Sequence, residues 1–427
     1  MRLCLVASKP TDSVILGFLP AAARLGLEVV LLTDQPEAHE RARARARQLA
    51  RPGCPRPGAE PGAEHAGDGP PARFLGCDVW DARELICAIA ELPAPHAIVS
   101  NSDHLQAQTA LAAAYFGLPG KDWRSALRAS NKSLMRRRLA EAGTEQVAAA
   151  RIGAAGHPPD GLRYPVVLKP AEGVASEDVV LVASPEELAE QSARILARRP
   201  GETLLAEEYL PGELRTLETL GDGKRTWVLG GFRTTLSPPP YFIEERLTWA
   251  VPAPDAAREH VLGALGALGV TFGACHTEYV DGGQGPALIE VNDRLIGDHC
   301  DFLLADLLGV DLFELTLRLH LGASLPPGPP PGPPPGRDHA IADYVVADRA
   351  GVLTSSPPAG PQPDAEPGVA LSYWPLRRPG DQIALTHGNR DYLGVISAIG
   401  PGAAAVERSV AALRGRGRWE IGGEPRP

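Results

Sequence analysis

The chain of 427 residues contains no apolar run of membrane-spanning length, so a transmembrane helix is excluded. It also lacks a basic excess: 42 Lys and Arg stand against 52 Asp and Glu, and the cations are scattered among the acids. The net charge of -10 gives no field suited to a nucleic acid, and no polynucleotide partner is expected. Six cysteines (Cys4, Cys54, Cys77, Cys87, Cys275, Cys300) show no CxxC or other metal spacing, which argues against a disulfide framework or a zinc site. The opening MRLCLVASKP is interrupted too soon for a secretory signal, and a cytoplasmic location is expected. What is present is apolar content of 44% and enough length for two to four domains with well-formed cores.

The chain begins as strand, helix and strand, RLCLVASKP followed by SVILGFLPAAARLGLEVVLLTD, a βαβ opening. Residues 40–73 turn rich in Arg and then in Pro and Gly. The first part extends a helix whose Arg run reads as a solvated face, and the remainder reads as a mobile insertion. The strand HAIVS leads into a helix starting near Asn101 or Ser102, where Asp103 and His104 either touch a ligand at the carboxyl end of a parallel strand or cap the helix. NKSLMRRRLAEAG is an amphipathic helix ending at Gly143. Beyond it come two strands around a loop (YPVVLKPAEGVASEDVVLVAS), a helix and the strand LLAEEYL, a small α+β unit. Antiparallel strands over 212–236, a helix near 255–268 and a further helix from Asp301 precede LPPGPPPGPPPGR, which stops regular structure and reads as a semi-stiff spacer. Short strands follow, interrupted by PPAGPQPDAEPG, which reads as mobile.

The stretch GPALIEVNDRLIGDHC places Glu290, Asn292 and Arg294 at alternate positions of an apolar strand, hence on one face, with Ile289, Val291 and Asp293 on the other. Upstream, TFGACHTEYV is joined to it by the turn-forming DGGQG, so the two form a hairpin. A turn centred on Gln284 sets Glu278 opposite Glu290 and His276 opposite Asn292. Two carboxylates facing each other across a strand pair repel unless neutralised. Two carboxylates and an amide oxygen suit a hard divalent cation, Mg²⁺ or Mn²⁺; the competing reading is a solvent-facing strand pair with ordinary exposed acids. Lys169, ending an apolar strand before a loop of small residues, suits phosphate binding or a surface hairpin. In EEYLPG, main-chain groups at the strand end either receive a flat heterocycle or form a plain turn.

In this order the segments resemble the ATP-grasp superfamily of carboxylate–amine ligases over most of the chain. The wording is nearest to amino-acid (dipeptide) ligases and to ATP-grasp ligases of peptide or siderophore biosynthesis. The resemblance implies an α/β and α+β architecture. An N-terminal Rossmann-like domain (1–122) would be followed by an ATP-grasp domain (123–325) whose two α+β subdomains clasp ATP, with a lid over about 150–212. The Pro-rich linker (326–337) and a β-rich C-terminal domain (338–427) complete it. It further implies that Lys132 and Lys169 hold phosphate with the loop bearing Ser176, and that Glu207, Glu208, Tyr209 and Leu210 frame adenine. Glu278, Glu290 and Asn292 would bind Mg²⁺ or Mn²⁺, and Arg294 would hold the γ-phosphate or the substrate carboxylate, with His276 facing the same site. The loop AEGVASED has one glycine where many relatives have several. Leu214 stands where many have the ribose-binding glutamate, which leaves Glu213 as the substitute; Glu218 matches a further acidic position.

The activity implied is ATP-dependent ligation of a small carboxylate to an amine through an acyl phosphate. Carboxylation through carboxyphosphate and a nucleotide-binding regulatory role without turnover are the alternatives. Asp298 and His299 shape the acceptor pocket or cap a helix, and a homodimer is the ordinary expectation for an enzyme of this size.

Overall fold

A computed structural model describes residues 1–49, 72–152, 162–250, 255–363 and 365–423. A four-stranded parallel sheet comes first, in the order Arg73–Gly76, Glu28–Thr33, Arg2–Val6, Ala97–Ser100. Its strands are near-continuous apolar runs because both faces are covered. Leu3, Leu5, Val29 and Leu31 enter one core, while Cys4, Val6, Val30 and Leu32 enter another beneath the helix Ala82–Ala90. Of the expected mobile insertion, residues 40–49 lie in the helix Pro36–Leu49 and Arg73 opens a strand. Residues 50–71 are outside the described residues.

A second, antiparallel sheet runs Ala149–Ile152, Leu204–Glu208, Val166–Pro170, Val180–Val182. The helix Pro185–Arg198 packs on it, its first turn fixed by Ser184, whose hydroxyl accepts from Glu187 N at 3.2 Å.

Among the described residues the largest sheet has ten strands, nine in one path and a tenth, Thr226–Gly230, paired off it with Glu213–Asp222. The path runs from the hairpin Gly285–Asn292 and Phe272–Gly282 through Glu213–Asp222, Phe232–Leu236 and Glu244–Trp249, and on through His339–Val346, Tyr392–Gly400, Ala370–Pro375 and Gly360–Pro361. The β-rich C-terminal segment thus continues the central sheet, because His339–Val346 pairs with Glu244–Trp249. Helices Cys300–Leu308 and Leu312–His320 bury Phe302, Phe313 and Leu317 in a core shared with Leu3 and Leu5 of the first sheet and with Tyr344 and Val395 of the C-terminal strands. The proline-rich stretch 326–337 has neither helix nor strand. In PPAGPQPDAEPG, read from the sequence as mobile, Gly360 and Pro361 pair with Tyr373 and Ser372, and Glu366 is held by Arg408 and Ser409; Asp364 lies outside the described residues. Pro361 tolerates this place because it lies on the edge strand.

The hairpin register agrees with the sequence at the polar residues: Glu278 pairs with Glu290 and His276 with Asn292. Its turn is shorter than expected, with Gly282 opposite Gly285, and a bulge at Ile289 restores the one-residue difference. In consequence Leu288 and Val291 enter the core, whereas Ile289 is only partly buried. Leu288 N, beside the bulge, donates to Glu145 Oε1 at 2.9 Å.

Phe232, 1% exposed and edge-on to Trp249 at 5.5 Å, anchors the core face of the long sheet between its hairpin and its C-terminal strands. Phe232→Ala is expected to destabilise the protein by about 3–5 kcal/mol, read as a lowered urea midpoint.

Candidate active site

Lys132 opens the helix Lys132–Glu141, whose N-cap Asn131 accepts from Leu134 N at 3.0 Å. That cap fixes the helix start, and Lys132 N donates to Ala171 O at 2.9 Å. The ammonium of Lys132 is buried. It donates to Gly173 O at 2.7 Å and lies 3.1 Å from Glu290 Oε1, joining the loop after Lys169 to the hairpin.

Lys169 lies 2.6 Å from Glu207 Oε2, and Arg136 Nε donates to Glu207 Oε1 at 2.9 Å. Burial would raise the Glu207 carboxyl, but the charges of Lys169 and Arg136 hold it at about 2. Burial, with Arg136 and Lys132 alongside, holds the Lys169 ammonium below its ordinary range despite Glu207. Arg136 also donates to Glu145 at 3.1 Å, so one buried ion network spans the second sheet and the hairpin. The side chain of Glu207 therefore serves this network. At the strand end, Glu208 N and Tyr209 N donate to Ala148 O and Pro165 O. Glu213 stands apart, paired with Arg215 and 3.8 Å from Arg233.

A cavity of about 570 Å³ brings together Ser176, His276, Glu278, Glu290, Asn292 and Arg294 of the expected residues. Lys132, Lys169, Glu207–Leu210 and Glu213 are not among its lining residues; Lys132 reaches it through Glu290, and Lys169 is tied to Glu207. Asp103, His104, Asp298 and His299 line it too. Arg294 arrives by a turn instead of by strand alternation, since the strand ends at Asn292 and Arg294 N donates to Asn292 O at 2.7 Å. Its guanidinium grips Asp103 with two bonds, 2.6 and 2.9 Å, linking the hairpin to the first sheet. Asp293 is buried against Lys121 at 3.0 Å.

The carboxylates are not equivalent. His276 lies 2.8 Å from Glu218 Oε1 through Nδ1 and 3.4 Å from Glu278 Oε1 through Nε2. Burial would depress the imidazole, but these two carboxylates raise it to about 10, so it is charged at neutral pH. In return His276 holds Glu278 low against the effect of burial. Glu290 is raised by burial and by Glu278, with Lys132 opposing. The Asn292 side-chain amide sits 3.2 Å from Glu290 Oε1 and 3.1 Å from Asp103 Oδ1, donating to both when its NH₂ faces them.

These residues fit a hard cation: two carboxylates meet in register and an amide can turn its oxygen to the same point. Among the described residues no three His, Cys, Asp or Glu side chains converge as a metal cluster, so the amide oxygen and the substrate would complete the shell.

Several residues escaped the sequence reading. Glu244, from YFIEERL, lines the cavity; burial and the neighbouring Glu278 raise its carboxyl to about 8. Asn389 Nδ2 donates to Glu244 Oε1 at 2.9 Å, and Asn389 N donates to Ala175 O of the loop after Lys169 at 2.8 Å. Arg390 donates to Glu177 at 2.7 Å. The loop is thus latched to the C-terminal segment, a partner that no local pattern in AEGVASED reveals. Glu218 carried a signal, its place after EEYLPG, but no contact; the contact is His276.

No protein-family model matches the chain. An uncharacterised protein, y4rH of Sinorhizobium fredii, is 30% identical over 307 residues; the match covers 67% of this chain and 60% of that protein's length. Among solved structures, an L-amino acid ligase from Bacillus licheniformis superposes with a TM-score of 0.74 at 20% identity, covering 99% of each chain. A phosphoribosylglycinamide synthetase from Anaerococcus prevotii gives 0.67 at 13% identity, also covering 99% of each. Biotin carboxylase from Campylobacter jejuni gives 0.66 at 16%, covering 99% of this chain and 92% of that one. The chain has the ATP-grasp fold.

Because the folded imidazole of His276 titrates above its ordinary 6.5, its contribution to stability is complete below about 6.5 and lost as pH rises through about 10. The difference in urea midpoint between the native protein and His276→Gln should therefore shrink across that window, and the imidazole proton resonances should stay at their charged positions at pH 8.

Proposed function

We propose that this protein is an ATP- and Mg²⁺-dependent carboxylate–amine ligase that forms an amide bond, with an amino acid as one substrate. The observation that carries the reading is the convergence of Glu278, Glu290, Asn292 and Arg294 on one cavity wall, with Lys132 bridging Glu290 to the loop after Lys169.

In this reading a substrate carboxylate accepts the γ-phosphoryl group of ATP, and an amine then displaces phosphate to give the amide. Glu278, Glu290 and Asn292 would hold Mg²⁺ or Mn²⁺, which when bound neutralises the phosphate chain. Lys132 and Lys169 position the phosphates, and Leu210 with the hinge carbonyls positions the adenine. Arg294, fixed in direction by Asp103, stabilises charge that develops on the transferring group. The latched loop over 171–178 keeps water from the activated carboxyl. Charged His276 lowers the repulsion between Glu278 and its neighbours. Glu244 sits on the cavity floor with Glu278 and Asp298 nearby, an acidic pocket suited to an ammonium group.

Phosphate release from Mg-ATP across a matrix of amino acids, small acids, amines and bicarbonate tests the proposal. Stimulation by an acid–amine pair, with a product heavier by the amine less water, is the expected result; release dependent on bicarbonate alone would point to carboxylation instead. Glu290→Ala and Lys169→Ala are each expected to lower kcat by about 100-fold or more, the scale of losing one preorganised charge at a transferring group. No stimulated release with any pair would refute the proposal.

A further inference from the structure

The charges of the cavity are unevenly placed. Glu244, Glu278, Glu290, Asp103 and Asp298 gather where the hairpin meets the first sheet, and a second group of opposite sign lines the same cavity from other segments. Lys9 stands in the loop after the strand Arg2–Val6, and Arg377 and Arg378 follow the strand Ala370–Pro375. Three cations from two chain segments separated by more than three hundred residues thereby line one cavity.

Among the described residues none of the three forms an ion pair. Arg377 donates only to main-chain oxygens, Arg390 O at 3.0 Å and Leu376 O at 3.3 Å. Arg378 meets Asp381 through its backbone N–H at 2.8 Å. The nearby carboxylates are engaged elsewhere: Asp12 with His299 at 2.7 Å, and Glu177 with Arg199 at 2.9 Å and Arg390 at 2.7 Å. Partial burial and the guanidinium groups of Arg390 and Arg377 hold the Lys9 ammonium below its ordinary range. Burial and Arg45, from the Arg run of the helix Pro36–Leu49, act likewise on Arg378. Glu177 acts in the opposite sense on Lys9, and Asp12 and Asp381 on Arg378, without offsetting these effects. Like charges lining a cavity without an ion-pair partner raise the energy of the free protein, and an anion placed among them lowers it.

We propose that Lys9, Arg377 and Arg378 form a subsite for a carboxylate, or a group of similar charge, that belongs to a substrate and takes no part in the reaction. The proposal rests on the ligase reading, which supplies a reacting carboxylate at Arg294 and leaves a second anion to be accounted for in the same cavity. Two sources share this chemistry: an acidic side chain on the acid that is activated, and the α-carboxylate of an amino acid that supplies the amine. The activated acid is tested with glutamate against glutamine and aspartate against asparagine, and the amine with alanine against alaninamide.

In the full-length protein with Mg-ATP, neutralising the anion in one of these arms is expected to lower kcat/KM for phosphate release by about tenfold or more. Lys9→Met with Arg378→Met should bring that ratio near one by slowing only the anionic member, with KM for ATP unchanged. Arg378→Lys, which keeps the charge, should restore part of the ratio and shows that the fold is intact. Calorimetric titration of glutamate, glutamine, alanine and alaninamide into wild type and the double variant gives a readout that needs no turnover. Anion-dependent binding that the double variant loses supports the subsite even if no pair is turned over, in which case the ligase reading alone falls. The subsite is overturned if wild type discriminates in neither turnover nor binding, if the double variant weakens both members equally, or if it raises KM for ATP.

Discussion

Two carboxylates face each other across one strand pair, and the surrounding architecture is arranged to keep them there. Glu278 and Glu290 are directly opposed, a placement that like charge penalises. Each has its own counter-charge from a different part of the chain. Glu278 is neutralised by His276, itself held by Glu218 on the adjacent strand. Glu290 is met by Lys132 from a helix N-terminus. Arg294 secures the hairpin to the first sheet through Asp103. The hairpin is thereby tied to the adjacent strand, to the helix Lys132–Glu141 and to the loop after the strand Ala97–Ser100, and concentrating acid at one point gives a site that needs all of them.

The same logic extends through the apolar interior. One core takes in the inner faces of the first sheet, the helices over 300–320 and the C-terminal strands. The cavity walls are the edges of that core, so Lys9, Glu244, Arg294 and Arg377 are displayed by elements that share a hydrophobic foundation. A substrate held between them touches residues far apart in sequence yet fixed relative to one another by burial.

The sequence made the local features legible. Alternation in LIEVN and the glycine-rich turn placed Glu278 opposite Glu290, and the amphipathic pattern of NKSLMRRRLAEAG marked the helix that begins at Lys132. Short-range rules suffice for such features because strand parity and helical periodicity act over a few residues. The features that escaped are long-range. Glu244 lies in a stretch, 237–254, to which the sequence assigned no element, and only tertiary packing brings it to Glu278. Arg294 was assigned to the site for a partly wrong reason: the strand stops before it, and a turn delivers the side chain that parity was thought to deliver. Glu207 was read as a hinge residue, yet its carboxylate balances Lys169 and Arg136, which nothing local in EEYLPG discloses.

The extra residue at Ile289 has a meaning beyond local geometry. It sits between the turn and the polar pairs, and the adjoining amide of Leu288 is held by Glu145, which Arg136 ties to the ion network around Lys169. The hairpin is therefore divided into two sections with different phase. The tip pairs in its own phase, while the section bearing His276, Glu278, Glu290 and Asn292 takes its alignment from the interior and not from the turn. In engineering terms the bulge is a slip joint, which takes up the difference in phase between the turn and the acids.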